Sequence, residues 1–443
     1  MSNQMVGILS LVLLIVLLLA RLPVAFVMLA LGMGGLYYIK GSGAMFINSA
    51  ATVFGTFSSY FLVVVPLFTW MGYIGFHSGI SAHLYDAAYK TLGRLKGGLA
   101  MATTMACAAF GAICGSTTAT SATFAALAMP EMKKRGYDHG LAGANVAASG
   151  ILGVLIPPSV IFIVYASITA QSISRLFLAG IFPGLLLALL FMGGVFLRVF
   201  RHPEIAPSGE SFPWKERMKA LATGGIEVVI IFVAVIGLLV GKKIWPGFPI
   251  PITGTEAGSI GCFATLIVVL ARRSLSWRAF VNSLKDTVRT STMVMFLVAA
   301  AAIYGNFLQL TYVPTLVAEW VVALPLPPTV TMIAILLMLM ALGCFVDALA
   351  MILLTIPIFF PAAMQLGFDP IWFGVIMTLA LGMGVLTPPV GANVYVVFAV
   401  DKETPVMDIF RNVWPYLISI WILCGLLLAF PQIATWLPEL TRR

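Results

Sequence analysis

The sequence predicts an all-α polytopic membrane protein built as an inverted repeat, with about ten spanning helices, two re-entrant hairpins and two broken helices. Three observations predict it. Of the 443 residues, 61% are hydrophobic and only 9% charged, which is too apolar for a soluble chain. A double-proline stretch occurs twice at a fixed offset. Basic residues flank one hairpin and are missing from the flanks of the other.

The double prolines are the organising feature. Gly153-Val154-Leu155-Ile156-Pro157-Pro158 and Gly384-Val385-Leu386-Thr387-Pro388-Pro389 each interrupt a long apolar stretch. Two consecutive prolines remove two backbone N–H donors. The carbonyls of Gly153 and Val154, and of Gly384 and Val385, are thereby expected to lose their helical partners. Free carbonyls within a bilayer are costly unless something satisfies them, and a bound cation does so in the discontinuous helices of many secondary transporters. The two stretches are 384 − 153 = 231 residues apart. At that offset Pro130 to Pro158 matches the second copy at nine of 29 positions without a gap, including Gly136 with Gly367, Asp138 with Asp369 and Gly143 with Gly374. The match marks an internal duplication.

Repeat 1 is expected over residues 1–200. Its scaffold helices (1–80) read as spans at 5–20, 22–39 and 60–76, with a turn at Arg21-Leu22-Pro23 and a mildly polar connection at 41–59. The run 6–20 has no basic segment before it and no clear cleavage site, so it reads as a span and not a signal peptide. The uncharged segment 99–130 is too short for two crossings and is interrupted at Gly115-Ser116-Thr117-Thr118. Lys90, Arg94 and Lys96 precede it, and Lys133, Lys134 and Arg135 follow it. Two basic flanks on one side make it a hairpin dipping in from the cytoplasm. A broken helix at 141–168 and a return span at 176–200 complete the repeat.

A cytoplasmic linker is expected at 201–219. Repeat 2 covers 220–443. Its scaffold helices (220–310) read as spans at 220–240, 255–271 and 291–310. Between them lie an outside loop at 241–254 and a basic interfacial helix at 272–289. Lys242 and Lys243 in that loop run against the charge rule. The hairpin at 329–361 has no Lys or Arg in its flanks, 310–328 and 362–372, and is expected to enter from outside. The broken helix at 371–399 and a final helix at 413–435 follow.

The residue types limit the chemistry. The net charge of +9 belongs to cytoplasmic loops and calls for no nucleic acid. Five cysteines sit in apolar surroundings without metal-ligand spacing, and the four histidines lie near span ends. No HExxH, GxSxG or Walker A sequence occurs, so no enzyme activity is expected. Candidate substrate contacts are the hydroxyl-rich tip Ser116, Thr117 and Thr118, with Asn145 and Asn393 near the breaks and Tyr165 as a further lining residue. A first cation site is expected from Ser116 and Thr117 with Gly153, Val154 and Pro157. A second is expected from Gly343 and Asp347 with Gly384, Thr387 and Pro388. Asp347 is the only acidic or basic residue in 329–361, and an acid at membrane depth is a functional candidate; the alternative is a helix cap.

Together these residues make the chain resemble the large membrane subunit of tripartite ATP-independent periplasmic (TRAP) transporters. The resemblance rests on the tip Gly115-Ser116-Thr117-Thr118-Ala119-Thr120 and on Met129-Pro130-Glu131-Met132-Lys133-Lys134-Arg135-Gly136-Tyr137-Asp138. It extends through the first double-proline stretch and Phe177-Leu178-Ala179-Gly180-Ile181-Phe182-Pro183-Gly184 to Leu386-Thr387-Pro388-Pro389-Val390-Gly391. The family tip commonly reads Gly-Ser-Ser; Thr117 here keeps a hydroxyl. The resemblance implies an elevator-type importer of a small organic anion in the bacterial inner membrane, driven by sodium (Na+). It also implies a periplasmic substrate-binding protein and a small membrane subunit of about four helices as separate chains. The competing readings are a sodium-coupled elevator carrier without a binding protein, and a non-coupled channel or scaffold.

Overall fold

The computed structural model describes residues 2–20, 22–237 and 253–440. Among them every regular element is helical. Seven helices are long and apolar enough to cross a membrane, or eight if the bent pair His139–Leu155 and Val160–Thr169, which turns by 42°, counts as one span. Shorter apolar helices, among them Asn3–Leu19, Gly98–Cys114, Pro328–Gly343 and Pro370–Gly384, fill the remaining positions.

Both hairpins are present. The first consists of Gly98–Cys114 and Thr117–Lys134, the second of Pro328–Gly343 and Ala348–Gln365. The first broken helix runs His139–Ser149, Leu152–Leu155 and Val160–Thr169, and the second runs Pro370–Gly384 and Ala392–Val400.

Contacts at the two ends set the direction of the repeats. At one end Lys133, at the base of the first hairpin, pairs with Asp401, just past the second broken helix, at 2.6 Å. At the other end Tyr165, late in the first broken helix, donates to the carbonyl of Pro370, which begins the second, at 2.6 Å. Phe360, at the base of the second hairpin, packs its ring against Tyr165 at 6.1 Å. The broken helices are therefore antiparallel, and the hairpins enter from opposite ends.

A second group of helices forms the scaffold. Val24–Phe57 and Val64–His77 both pack on Trp277–Leu310. Gly32 lets the first crossing close, because a Cβ there would stand 2.9 Å from the Tyr304 backbone nitrogen.

Three expectations are corrected. The connection expected at 41–59 is helical through Phe57, interrupted only where Gly41 takes φ +80°. Its polar residues pair across the crossing: Asn306 donates to Asn48 at 3.3 Å and to Thr52 at 3.0 Å. The separate interfacial helix at 272–289 is instead the first half of the continuous Trp277–Leu310. Trp70 to Ser283 (3.2 Å), His77 to Asp286 (2.8 Å) and Tyr73 to Thr290 (2.7 Å) satisfy its polar face. The linker expected at 201–219 is held by backbone hydrogen bonds. Asp138 and Gly97 donate to the carbonyls of Ile205 and Ala206, and Gly209 donates to that of Gly93, which laces the linker to the first hairpin base. The final helix divides into Val406–Ala429 and Gln432–Leu440, where Pro431 removes a donor. Arg21 and most of the loop 241–254, with Lys242 and Lys243, lie outside the described residues.

Candidate functional site

Each hairpin tip is pressed against the break in its own repeat's broken helix. In repeat 1 the contact is backbone to backbone. Gly115 takes φ +66°, and a Cβ there would lie 2.6 Å from the Pro158 carbonyl oxygen. A Cβ on Gly111 would lie 2.9 Å from Gly153 Cα. Only glycine meets both demands at position 115.

Two helix starts converge at this junction. Ser116 caps Thr117–Lys134 by accepting from Ala119 N at 3.4 Å, and Ser159 caps Val160–Thr169 by accepting from Phe162 N at 3.4 Å. Val160 N reaches back to the Gly115 carbonyl at 3.5 Å, which ties the two starts together. Ser116 and Thr118 share a hydrogen bond at 3.2 Å. Thr120 donates to the Ser116 carbonyl at 2.8 Å. Thr117 is buried beside them.

The break behaves as proline chemistry demands. Ile156 N bonds back to the Leu152 carbonyl at 2.9 Å. Pro157 and Pro158 offer no N–H, so the carbonyls of Gly153 and Val154 have no intrahelical donor. Ser116, Thr117, Thr118, Gly153, Val154 and Pro157 are thus brought to one junction. Ser159 and Thr120 belong there as well. Ser159 was legible as a cap, a serine directly after a double proline and before an apolar run.

Repeat 2 is arranged differently. A Cβ on Gly384 would lie 2.6 Å from Gly343 Cα, so the second tip also rests on its break. The expectation of two donorless carbonyls is corrected here: Gly384 accepts from Thr387 N at 3.1 Å, and Val385 accepts from Asn393 N at 3.1 Å. Gly391, at φ +54°, turns the chain back so that Asn393 N can reach. The Thr387 hydroxyl is spent on the Met383 carbonyl at 2.7 Å. Pro388 is exposed, whereas Pro157 is buried. Asp347 is the N-cap of Ala348–Gln365, accepting from Leu349 N at 3.0 Å, and it is exposed at the tip.

Asn393 links the two repeats. It is fully buried and donates to the Ala147 carbonyl at 3.1 Å, while its Oδ1 has no partner among the described residues. Asn145 is not brought to the tips. Its amide is spent on the Ala100 carbonyl (2.9 Å), Thr104 (3.2 Å) and Tyr416 (2.9 Å). Tyr165 is likewise engaged, with Pro370.

Outside the membrane-spanning segments, Asp401 has a shifted acidity. Burial would raise its carboxyl, but the Lys133 ammonium at 2.6 Å and the Thr404 hydroxyl at 2.6 Å hold it below its ordinary value.

Comparison with known proteins follows the same lines. The family described as "Tripartite ATP-independent periplasmic transporter, DctM component" matches residues 11–433. The C4-dicarboxylate TRAP transporter large permease protein of Pseudomonas aeruginosa is 32% identical over 88% of this chain and 89% of its own length. The sialic acid TRAP transporter large permease protein of Vibrio cholerae is 31% identical over 96% of each. In fold, the chain matches the Alcanivorax borkumensis YdaH transporter with a TM-score of 0.61 and 15% identity, over 89% of each chain. The chain belongs to the DctM family: it is the large permease component of a TRAP transporter, a multi-pass protein of the bacterial inner membrane and not an enzyme.

Proposed function

We propose that this permease imports a small organic anion, a carboxylate or a sulfonate, in symport with sodium. One observation carries the reading. At the first hairpin tip two serine-capped helix starts meet carbonyls that have no helical donor. Helix N-termini attract anions, and carbonyl and hydroxyl oxygens suit a hard cation. One junction therefore offers both chemistries.

The first sodium would use Ser116 and Thr117 with the carbonyls of Gly153 and Val154. The second would use Asp347 and Gly343 with Gly384, whose carbonyl keeps a second lone pair beside its bond from Thr387 N. Ser116, Thr118 and Asn393 are the substrate contacts in this reading. The hairpins and broken helices would move as one body against the scaffold.

Relatives named for C4-dicarboxylate, sialic acid, isethionate and ectoine support an organic acid. The isethionate relative of Oleidesulfovibrio alaskensis, named DctMQ, is longer, and this chain spans 62% of it. In this reading a small membrane subunit and a periplasmic substrate-binding protein are its partners, which the family's tripartite description supports.

The test is uptake in proteoliposomes. Uptake is expected with a sodium gradient and the partner chains, and little with the lone chain. Equal uptake with choline in place of sodium would remove the coupling, and full uptake by the lone chain would remove the tripartite assembly.

A further inference from the structure

A second space, with polar side chains on its scaffold side and an apolar hairpin wall, lies away from the hairpin tips. It is a cavity of about 490 Å³ between the scaffold pair Val24–Phe57 and Trp277–Leu310 and the outer arm of the second hairpin. The hairpin wall begins at Leu353 and ends at Pro361, about 9 to 21 Å of helix beyond Asp347. Ser167 closes the cavity from the end of the first broken helix. That is the end where Tyr165 meets Pro370, opposite Lys133 and its basic neighbours. By the positive-inside rule it is the outer end.

Two glycines line this space, Gly55 and Gly305. Neither has a left-handed backbone, and a Cβ on either would meet no atom within 4 Å. Gly32, on the same helix crossing, is demanded by contact with Tyr304; Gly305 is not. Glycine inside a helix is disfavoured relative to alanine. A side chain at position 305 would therefore extend into the cavity.

The walls also carry unspent polar groups. Asn306 Nδ2 is used on Thr52 and Asn48. Its Oδ1, like the side chains of Ser59, Ser167 and Gln309, makes no hydrogen bond among the described residues. No Lys, Arg, Asp or Glu lines the cavity.

We infer that this cavity is an outer vestibule that holds the substrate before it reaches the hairpin tips, and that it selects a hydroxyl- or amide-bearing organic acid. The hydroxyls and amides bind the uncharged polar part. The carboxylate stays hydrated, because no cation here would offset its burial. The inference rests on the transport reading above and adds the substrate's chemistry to it.

The test places Gly305→Cys in the full chain, reconstituted with its partner chains. An impermeant thiol reagent is added outside, and modification at position 305 is followed by mass spectrometry. Position 305 is expected to react, and gluconate, a polyhydroxy acid, to slow the reaction by about tenfold. Succinate, which has no hydroxyl, is expected to slow it far less. Gly55→Cys, on the facing helix, is expected to repeat the pattern. Gly305→Trp, which fills the cavity, is expected to lower uptake by about tenfold. No reaction from outside would overturn the vestibule. Reaction slowed by neither probe would make the space a sliding surface and overturn it too. Equal protection by both probes would overturn the selectivity. Sodium-driven uptake by the wild-type chain, measured in the same vesicles, separates the two readings. If uptake is present and protection absent, only the vestibule falls; if uptake is absent, both fall.

Discussion

Lys133 Nζ lies 2.6 Å from Asp401 Oδ1, and the pair joins the base of the first hairpin to the end of the second broken helix. Glu403 adds a second carboxylate at 3.0 Å, and Thr404 donates to the other oxygen of Asp401 at 2.6 Å. The two repeats are thus clasped at one end by charge and at the other by the Tyr165 hydroxyl on Pro370. A polar clasp at each end leaves the middle, where the tips meet the breaks, free of fixed charge except Asp347.

The clasp predicts a stability effect with a definite pH range. Asp401→Asn leaves the Lys133 ammonium, 13% exposed, without its nearest partner. The loss of a hydrogen bond to a charged group is expected to cost about 1.5–3 kcal/mol. The Asp401 carboxyl has a lowered folded pKa. Its stabilisation is therefore fully present above the ordinary carboxyl value of about 4 and is lost as pH falls through the lowered folded value. The gap between wild type and Asp401→Asn in thermal melts is expected to stay constant from neutral pH to pH 5 and to close only in stronger acid. A gap that closes between pH 7 and 5 would assign the effect to another group.

The antiparallel repeats predict sidedness. Lys134 and Gln365 are both exposed at hairpin bases, one beside Asp401 and the other beyond Phe360. Cysteines at these two positions are expected to react with impermeant reagent from opposite faces of the membrane. Reaction from the same face would contradict the inverted insertion.

Much of this arrangement was legible in the sequence because proline and glycine act locally. The double prolines located both breaks, and Gly115 located the first tip, since their effect on the backbone does not depend on neighbours. What escaped was decided by partners distant in the chain. Asn48 and Thr52 read as loop residues until Asn306 is beside them. Ser283 and Asp286 read as part of an interfacial helix until Trp70 and His77 satisfy them. The rescue of the Gly384 and Val385 carbonyls depends on Gly391 turning Asn393 back, a geometry no local pattern announces. Asn145 had the residue type for substrate contact, but Tyr416, 271 residues away, uses its oxygen.

The close approach at the first tip predicts an intolerant glycine. A Cβ on Gly153 would stand 2.6 Å from Thr120 Oγ1 and 2.8 Å from the Ser116 carbonyl oxygen. The carbonyl is backbone and cannot rotate away, so Gly153→Ala must push the tip off the break. Overpacking of this kind costs about 1–3 kcal/mol. The variant is expected to insert and to melt at a lower temperature, with transport lost by more than the melt shift alone explains. Unchanged uptake would show that the tip does not need this contact.

Asp347 carries the last prediction. It caps Ala348–Gln365 through Leu349 N, so a helix cap alone could account for it. An isolated Asp at mid-membrane costs roughly 2.5–3.5 kcal/mol on insertion scales, and no Lys or Arg occurs in its own hairpin or in either broken helix to offset that cost. Asparagine is as good an N-cap as aspartate. Asp347→Asn therefore keeps the cap and removes only the charge. If a sodium ion provides the opposing charge, the sodium dependence of uptake is expected to move to higher concentration in Asp347→Asn, with the melting temperature little changed. If Asp347 is only a cap, both properties stay as in the wild type. A variant that melts early with unshifted sodium dependence would also refute the ion, because it would assign the carboxylate a purely structural role.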